Sequence, residues 1–265
     1  MYSVNYHRAN SVADAVKTAE TGDAKFLSGG MTLIPAMKTR LAAPSDLIDL
    51  AHIDELKGIT ISGRTVTIGA GTIHYDVATH AELKTLCPAL SHLASHIGDP
   101  AVRHRGTIGG SVANNDPAAD YPSALLAMGA TIITNQREMA AEDFFTGLFE
   151  TALEDGEIVT AVRFDVPEKA GYAKFPNPAS RYAMTGVFVA KGEDGVRVAV
   201  TGAGDNGVFR SEPLEAALAT SFDAKALEGL SVPSDSLMGD LHASPEYRAN
   251  LIVVMAKRAV LAANG

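Results

Sequence analysis

Only one cysteine and no tryptophan occur among the 265 residues. A lone thiol excludes an intrachain disulfide. It also excludes an iron–sulfur cluster held by this chain alone, because such a cluster takes about four thiolates. Cys87, in LKTLCPAL on a predicted helix, reads as a small buried hydrophobe before it reads as a reactive thiol. No apolar run reaches the ~18 residues of a membrane span. The stretch MYSVNYHRANSVADAVKTAE has no apolar signal core, so the expected location is cytoplasmic. Basic residues are outnumbered, 22 against 31 acidic, for a net charge of −9. That balance argues against non-specific nucleic-acid binding, which needs a basic face. No G-x-x-x-x-G-K-[ST] and no HExxH occurs.

What is present is a mixed helix and strand pattern. Ser11 caps SVADAVKTAE with Asp14 three residues on, and Gly22 is expected to end that helix. AKFLSGG reads as a strand entering a glycine turn, IPAMKTRL as a short helix with Pro35 near its start, and DLIDL as a strand. ITISGRTVTIGAG alternates around Ser62-Gly63-Arg64, a hairpin signature. HYDVATHAELKTLCPALSHLASHI is helical in period. ATIITN and EIVTAVRFDV read as strands. Residues 166–180, VPEKAGYAKFPNPAS, read as a boundary loop or domain entry. TGVFVAK and VRVAVTG follow as strands, then PLEAALAT and SPEYRANLIVVMAKRAVLAA as helices.

Two double-glycine turns stand out: Ser28-Gly29-Gly30-Met31-Thr32 and Thr107-Ile108-Gly109-Gly110-Ser111. Each reads as a strand, then Gly-Gly, then a hydroxyl and a short apolar run. Glycine permits positive φ and a close backbone approach, and successive free N–H groups form an anion nest. Two facing nests could grip a pyrophosphate without lysine or arginine. Two tight turns in a β-rich domain would give the same pattern. Gly202-Ala-Gly204-Asp-Asn-Gly207 also matches G-x-G-x-x-G. A Rossmann fingerprint must open a helix at once, and Val208 to Glu212 intervene here, so this is read as a glycine-rich loop.

FLSGGMTLIPAMKTRLAAPSDLIDL resembles the first FAD stretch of the medium subunit of molybdenum hydroxylases, the carbon monoxide dehydrogenase and xanthine dehydrogenase flavoprotein family. RHRGTIGGSVANNDPAADYPSALLAMGATI resembles its second FAD stretch, and AKFPNPASRYAMTGVFVA and SPEYRANLIVVMAKRAV resemble two later segments. The resemblance spans the chain in order. It implies an α+β fold. A vanillyl-alcohol-oxidase (PCMH)-type FAD region would occupy residues 1–165, in subdomains of about 1–55 and 56–165. A C-terminal α+β domain would occupy 166–265.

The resemblance also implies site residues. Leu27, Ser28, Gly29, Gly30, Met31, Thr32, Leu33 and Ile34 form one loop, and Thr107, Ile108, Gly109, Gly110 and Ser111 the other. Both would hold the diphosphate and ribityl oxygens. Asp120 matches an aspartate that binds FAD, and Ile97 and Val159 match apolar cofactor-lining positions. Lys174 matches a lysine near the flavin ring, where a cation would stabilise negative charge that builds up on it. Tyr182 matches an aromatic position beside the ring. Met31 departs from the usual Gln or His, Ser28 from Ala, and Asn114-Asn115 from an Ala-His pair, leaving two polar side chains near the cofactor. Asp116 and Asp120 are not taken as a metal pair. His92, His96 and His104 are taken as surface or packing histidines rather than zinc ligands. Arg103 and Arg105 flank the second loop without an assigned role.

The implied function is electron transfer. Non-covalent FAD on this chain would take electrons from [2Fe–2S] clusters on a small partner subunit and pass them to a quinone, NAD or oxygen. Molybdopterin would sit on a large partner subunit, in a dimer of heterotrimers. The complex could touch the inner face of a membrane peripherally. The rival readings are a stand-alone flavoprotein oxidase of the same fold and a non-catalytic assembly subunit.

Overall fold

A computed structural model describes residues 1–20 and 22–265. The first unit is a three-stranded parallel sheet, β1 (Asn5–Arg8), β2 (Ala24–Leu27) and β3 (Asp46–Asp49), in the order β1-β3-β2. Helix α1 (Val12–Ala19) crosses it. The Ser11 side chain accepts from Asp14 N at 3.1 Å, a standard N-cap that satisfies one free helix donor. Its C-cap is Glu20, two residues before the expected Gly22. β2 leads through the first glycine loop into α2 (Leu33–Lys38).

The second unit is an antiparallel sheet. β4 (Ile59–Ser62) and β5 (Thr65–Gly69) form the expected hairpin, with Gly63 at φ +63° in the turn. Helices α3 (His74–Thr79), α4 (Ala81–Leu86), α5 (Pro88–Ser95) and α6 (Pro100–Arg103) follow. The pattern had suggested one helical run from His74 onward, and it breaks twice. His80 takes an extended conformation and its Nδ1 accepts from Leu83 N. Pro88 lacks an N–H, so it starts a helix rather than continuing one.

Next come α7 (Ile108–Asn114), α8 (Tyr121–Ala127), β6 (Thr131–Thr134) and β7 (Glu138–Ala140). Helix α9 (Ala141–Phe144) and the small hairpin β8 (Phe145–Gly147) and β9 (Glu150–Thr151) lead to β10 (Val159–Asp165). The sheet order is β4-β5-β10-β6-β7. Val66, Ile68, Ile132 and Val162 are fully buried under the apolar faces of α5, α7 and α8. Asn115 caps α7 in the left-handed region at φ 41°, and its side chain donates to Gly147 O and Glu150 O. Asn115 is therefore a buried bolt between α7 and the β8–β9 hairpin, not a polar group exposed to a ligand.

The segment 166–180 is not a loop. Lys169–Pro176 forms β11, an eight-residue strand along one edge of the third sheet. β12 (Ala183–Gly192), β13 (Gly195–Thr201) and β14 (Phe209–Arg210) complete that sheet, with α10 (Glu212–Thr220) and the long α11 (Pro245–Asn264) behind it. Pro167, Pro176 and Pro178 suggested a break, but Pro176 ends the strand and the other two lie outside it. Tyr172 and Phe188 of this sheet join the core of the second unit. Among the described residues, no helix is long and apolar enough to cross a membrane.

α11 docks on β11 at a glycine. A Cβ on Gly171 would lie 1.9 Å from Ala259 O and 3.0 Å from Ala263 N, both backbone. Nothing lies within 4 Å of the corresponding atom at Gly192. Gly171→Ala should therefore lose roughly 3 kcal/mol of stability through overpacking. Gly192→Ala should stay within about 0.5 kcal/mol of the parent. Urea midpoints of the two variants check this, and equal midpoints would contradict the packing.

Candidate functional site

The two glycine loops meet across a cavity of about 730 Å³, within the usual range for a cofactor site. They are built differently. The first is a true loop between β2 and α2, with Gly30 at φ +73°. The second is the first turn of α7. Thr107 is its N-cap and its hydroxyl accepts from Gly110 N at 3.1 Å. Gly109 and Gly110 thus have helical backbone, not the strand-then-turn geometry the pattern suggested.

All four glycines border the cavity, and in each pair one also fits protein closely to protein. A Cβ on Gly29 would lie 2.2 Å from Arg105 O, and one on Gly109 would lie 2.4 Å from the Ala70 Cβ. Those two positions let the loops close on their neighbours. Gly110 needs space rather than an unusual φ: its Cβ would meet Thr107 Oγ1 at 2.9 Å and Ser28 Cβ at 3.9 Å. The Ser28 and Thr107 hydroxyls share a hydrogen bond of 2.8 Å that ties the loops together. Ser28, a departure from the family pattern, is thus a working contact.

Among the described residues, no acceptor in the protein pairs with the N–H groups of Gly29, Gly30, Met31 and Thr32. All four residues border the cavity. Successive free donors around a glycine at positive φ form a concave anion site. The residues present therefore fit a diphosphate.

Residues 27–33 border the cavity, and Ile34 packs beneath Gly30 instead. Thr107, Gly109, Gly110 and Ser111 border it, while Ile108 is wholly buried in the core. Ile97, Val159, Asp120 and Tyr182 also border it. Lys174 does not. It borders a second cavity of about 590 Å³ together with His92, His96, Arg103 and Arg258. From there its ammonium reaches Asp120 Oδ1 at 2.8 Å and the His96 carbonyl at 2.8 Å.

Asp120 is 5% exposed. Its Oδ1 also accepts from the Tyr172 hydroxyl at 2.5 Å. Burial pushes the carboxyl up, and the Lys174 ammonium and the Tyr172 hydroxyl oppose it. Tyr172 was not among the expected site residues. Its sequence signal was the spacing of Tyr172 and Lys174, two apart on one strand face.

The loop carrying Asp120 is braced from the third sheet. The Thr201 hydroxyl sits 2.6 Å from Ala119 O and 3.0 Å from Pro117 O, and Gly202 N donates to Pro117 O at 2.8 Å. The buried Arg248 donates to the carbonyls of Gly202 and Met184 and pairs with Asp240. The G-x-G-x-x-G stretch beginning at Gly202 therefore supports the site from behind. A Cβ on Gly204 would lie 2.4 Å from Gly207 O, so even alanine is excluded there.

Arg103 donates to Ile97 O and Gly98 O, fixing the α5–α6 link, and Arg105 contributes its carbonyl to the contact with Gly29. His104 stacks on Tyr75, and His92 lies against His96. Among the described residues, no group of three or more His, Cys, Asp or Glu could hold a metal ion. Cys87 is buried, with its thiol pushed up to about 11.

Residues 2–168 match the family described as the FAD-binding domain in molybdopterin dehydrogenase. The chain belongs to this family. It is an oxidoreductase component, with FAD as its cofactor. It is 35% identical to the carbon monoxide dehydrogenase medium chain of Afipia carboxidovorans over 275 residues, 97% of this chain and 96% of the relative. It is 38% identical to the glyceraldehyde dehydrogenase medium chain of Sulfolobus acidocaldarius over 193 residues, 70% and 69% of the two chains. Its fold is similar to that of a chain in reconstituted CO dehydrogenase from Oligotropha carboxidovorans, with a TM-score of 0.88 at 34% identity over 99% and 98% of the two chains. A chain of quinoline 2-oxidoreductase from Pseudomonas putida gives 0.88 at 26% identity over 100% and 98%. The fold is the α+β flavoprotein fold expected of the family.

One wall residue sets a pH dependence. His74 borders the cavity, is 4% exposed, and its Nδ1 has no partner. Burial, helped by Arg103, brings its imidazole from 6.5 down to about 4. In that window the unfolded chain binds a proton that the folded chain refuses. Stability should therefore fall as pH drops from 6.5 toward 4, by up to roughly 3 kcal/mol from this group. Urea midpoints at pH 6.5 and 4.5 check it. His74→Asn should lose the part of the slope that His74 supplies, and an unchanged slope would refute the assignment.

Proposed function

We propose that this chain is the FAD-carrying electron-transfer subunit of a heteromeric molybdenum hydroxylase. The observation that carries this is the row of unpaired N–H groups on residues 29–32, facing the α7 N-terminus across the cavity. FAD supplies the exchange between one- and two-electron chemistry that such a complex needs. The chain's own residues bind, orient and shield. The first loop holds the diphosphate through its free backbone donors, while the N–H groups of Ile108, Gly109, Gly110 and Ser111 pair with Thr72 O, Ala70 O, the Thr107 hydroxyl and Thr107 O, so the second turn shapes the facing wall. The hydroxyls of Thr32 and Ser111 have no partner among the described residues and serve the neighbouring oxygens. Ile97 and Val159 supply apolar wall, and Tyr182 a ring face at the open end. Lys174 places a positive charge behind Asp120 rather than directly in the cavity.

The partners in this reading are a small subunit with two [2Fe–2S] clusters and a large molybdopterin subunit, in a dimer of heterotrimers. The clusters lie on another polypeptide, since this chain has one buried thiol. The external acceptor is a quinone, NAD or oxygen. The complex is cytoplasmic, with peripheral contact to the membrane open to it. Names of the relatives, such as medium chain and FAD-subunit, support an assembly of this kind.

The purified chain should bind one FAD, all of it released by acid precipitation. Gly110→Val puts a branched side chain between the loops, beside the Thr107 hydroxyl, and should weaken FAD by at least a hundredfold while circular dichroism stays unchanged. Gly192→Ala should keep a full complement. A folded Gly110→Val protein with wild-type FAD content would overturn the site.

The isolated chain should also reduce its flavin slowly, or not at all, with hydroxylase substrates such as purines, N-heterocycles, aldehydes or carbon monoxide. Anaerobic mixing followed by flavin absorbance tests this. Rapid bleaching would favour a stand-alone oxidase instead.

A further inference from the structure

We infer that Tyr172 is a positioning residue for the cofactor, acting through Asp120. The inference rests on the FAD reading above. Tyr172 and Lys174 lie two apart on β11 and converge on a single carboxylate oxygen, Oδ1, at 2.5 and 2.8 Å. The other oxygen, Oδ2, has no partner among the described residues and is not among the atoms sealed from solvent. Asp120 borders the large cavity, so the free oxygen is the one turned to it. A carboxylate with one oxygen fixed from behind presents the other in a single orientation. Oδ2 then accepts from a hydroxyl or ring N–H of the cofactor.

Lys174 supplies the countercharge, and its ammonium is held in place by the His96 carbonyl. Tyr172 supplies direction. Its ring is 2% exposed and packs against Phe188 with ring centres 6.2 Å apart, so the hydroxyl has a fixed origin. Burial beside Asp120 pushes the phenol well above its ordinary value, so it remains a donor. The titratable groups facing Asp120 are Lys174 and Tyr172 on β11, His96 after α5, Tyr121 on α8 and Tyr182 beyond β11.

The experiment is titration of apo-protein with FAD from pH 5 to 9, for the wild type and three variants. Tyr172→Phe removes only the donor. It should raise the FAD dissociation constant at least tenfold at pH 7. It should also move the fall in affinity at low pH to a higher pH, because the carboxylate loses a bond that keeps it ionised. Tyr121→Phe removes a buried hydroxyl that has no partner, and should bind FAD as the wild type does. Asp120→Asn should flatten the low-pH limb, which tests the carboxylate even if Tyr172→Phe folds poorly. Wild-type affinity and profile in Tyr172→Phe, weaker binding with an unmoved profile, or an unflattened limb in Asp120→Asn would each overturn the proposal. A wild-type chain that binds no FAD would instead overturn the FAD reading.

Discussion

A buried carboxylate is the constraint on which the site depends. Asp120 opens α8, yet its partners come from β11 and its surroundings from the end of α5. An ionised carboxylate this deeply buried is costly unless it is paired and hydrogen-bonded. Lys174 and Tyr172 meet that requirement. The need for them in turn fixes where the third sheet sits against the second unit. The brace from Thr201, Gly202 and Arg248 onto the loop before Asp120 serves the same end. Geometry at one carboxylate thus adds to the shared apolar core in joining the second unit to the third sheet.

The glycine pairs illustrate how one sequence pattern can carry two kinds of physics. Gly29 and Gly109 are small so that protein can touch protein. Gly30 is at positive φ so that the chain can turn. Gly110 leaves room at the cavity face. Spacing alone left nests and tight turns both open, with tight turns the commoner case, because all four glycines look alike in a sequence. The difference emerged from what a Cβ would strike at each position. The Ser28–Thr107 hydrogen bond joins the pairs, which makes the two loops one wall.

Much of the fold was legible in the residues. The Ser11 cap, the Ser62–Thr65 hairpin and the long final helix follow from local signals that need no tertiary help. β11 was missed because the prolines around it are strong local punctuation, while its pairing with β12 is long-range. That miss hid Tyr172, since the strand periodicity that puts it beside Lys174 was not applied. The breaks at His80 and Cys87 were hidden for a similar reason: helical periodicity continues across both. The two glycine loops were legible as an anion site only as one of two readings, and the family resemblance supplied the rest. Asn115 looked like a polar group for a ligand because its left-handed backbone and two carbonyl partners cannot be seen in a sequence.

The electrostatics of the wall suit a cofactor carrier better than an acid–base catalyst. His74 is the only histidine bordering the large cavity among the described residues, and burial keeps it neutral at any pH near 7. Tyr182, at the open end, and the buried Tyr121 and Tyr172 are all moved upward, away from neutrality. Asp120 has its charge matched by Lys174. A general acid or base works best with a value near the operating pH, and burial has moved the histidine and the tyrosines away from it. What remains is a wall whose histidine and tyrosines keep one protonation state across physiological pH. Backbone dipoles sit at one end of the cavity and a compensated ion pair lies behind its wall. A group that exchanges electrons needs such constancy, because a wall that titrated near neutrality would shift its potential with every change in pH.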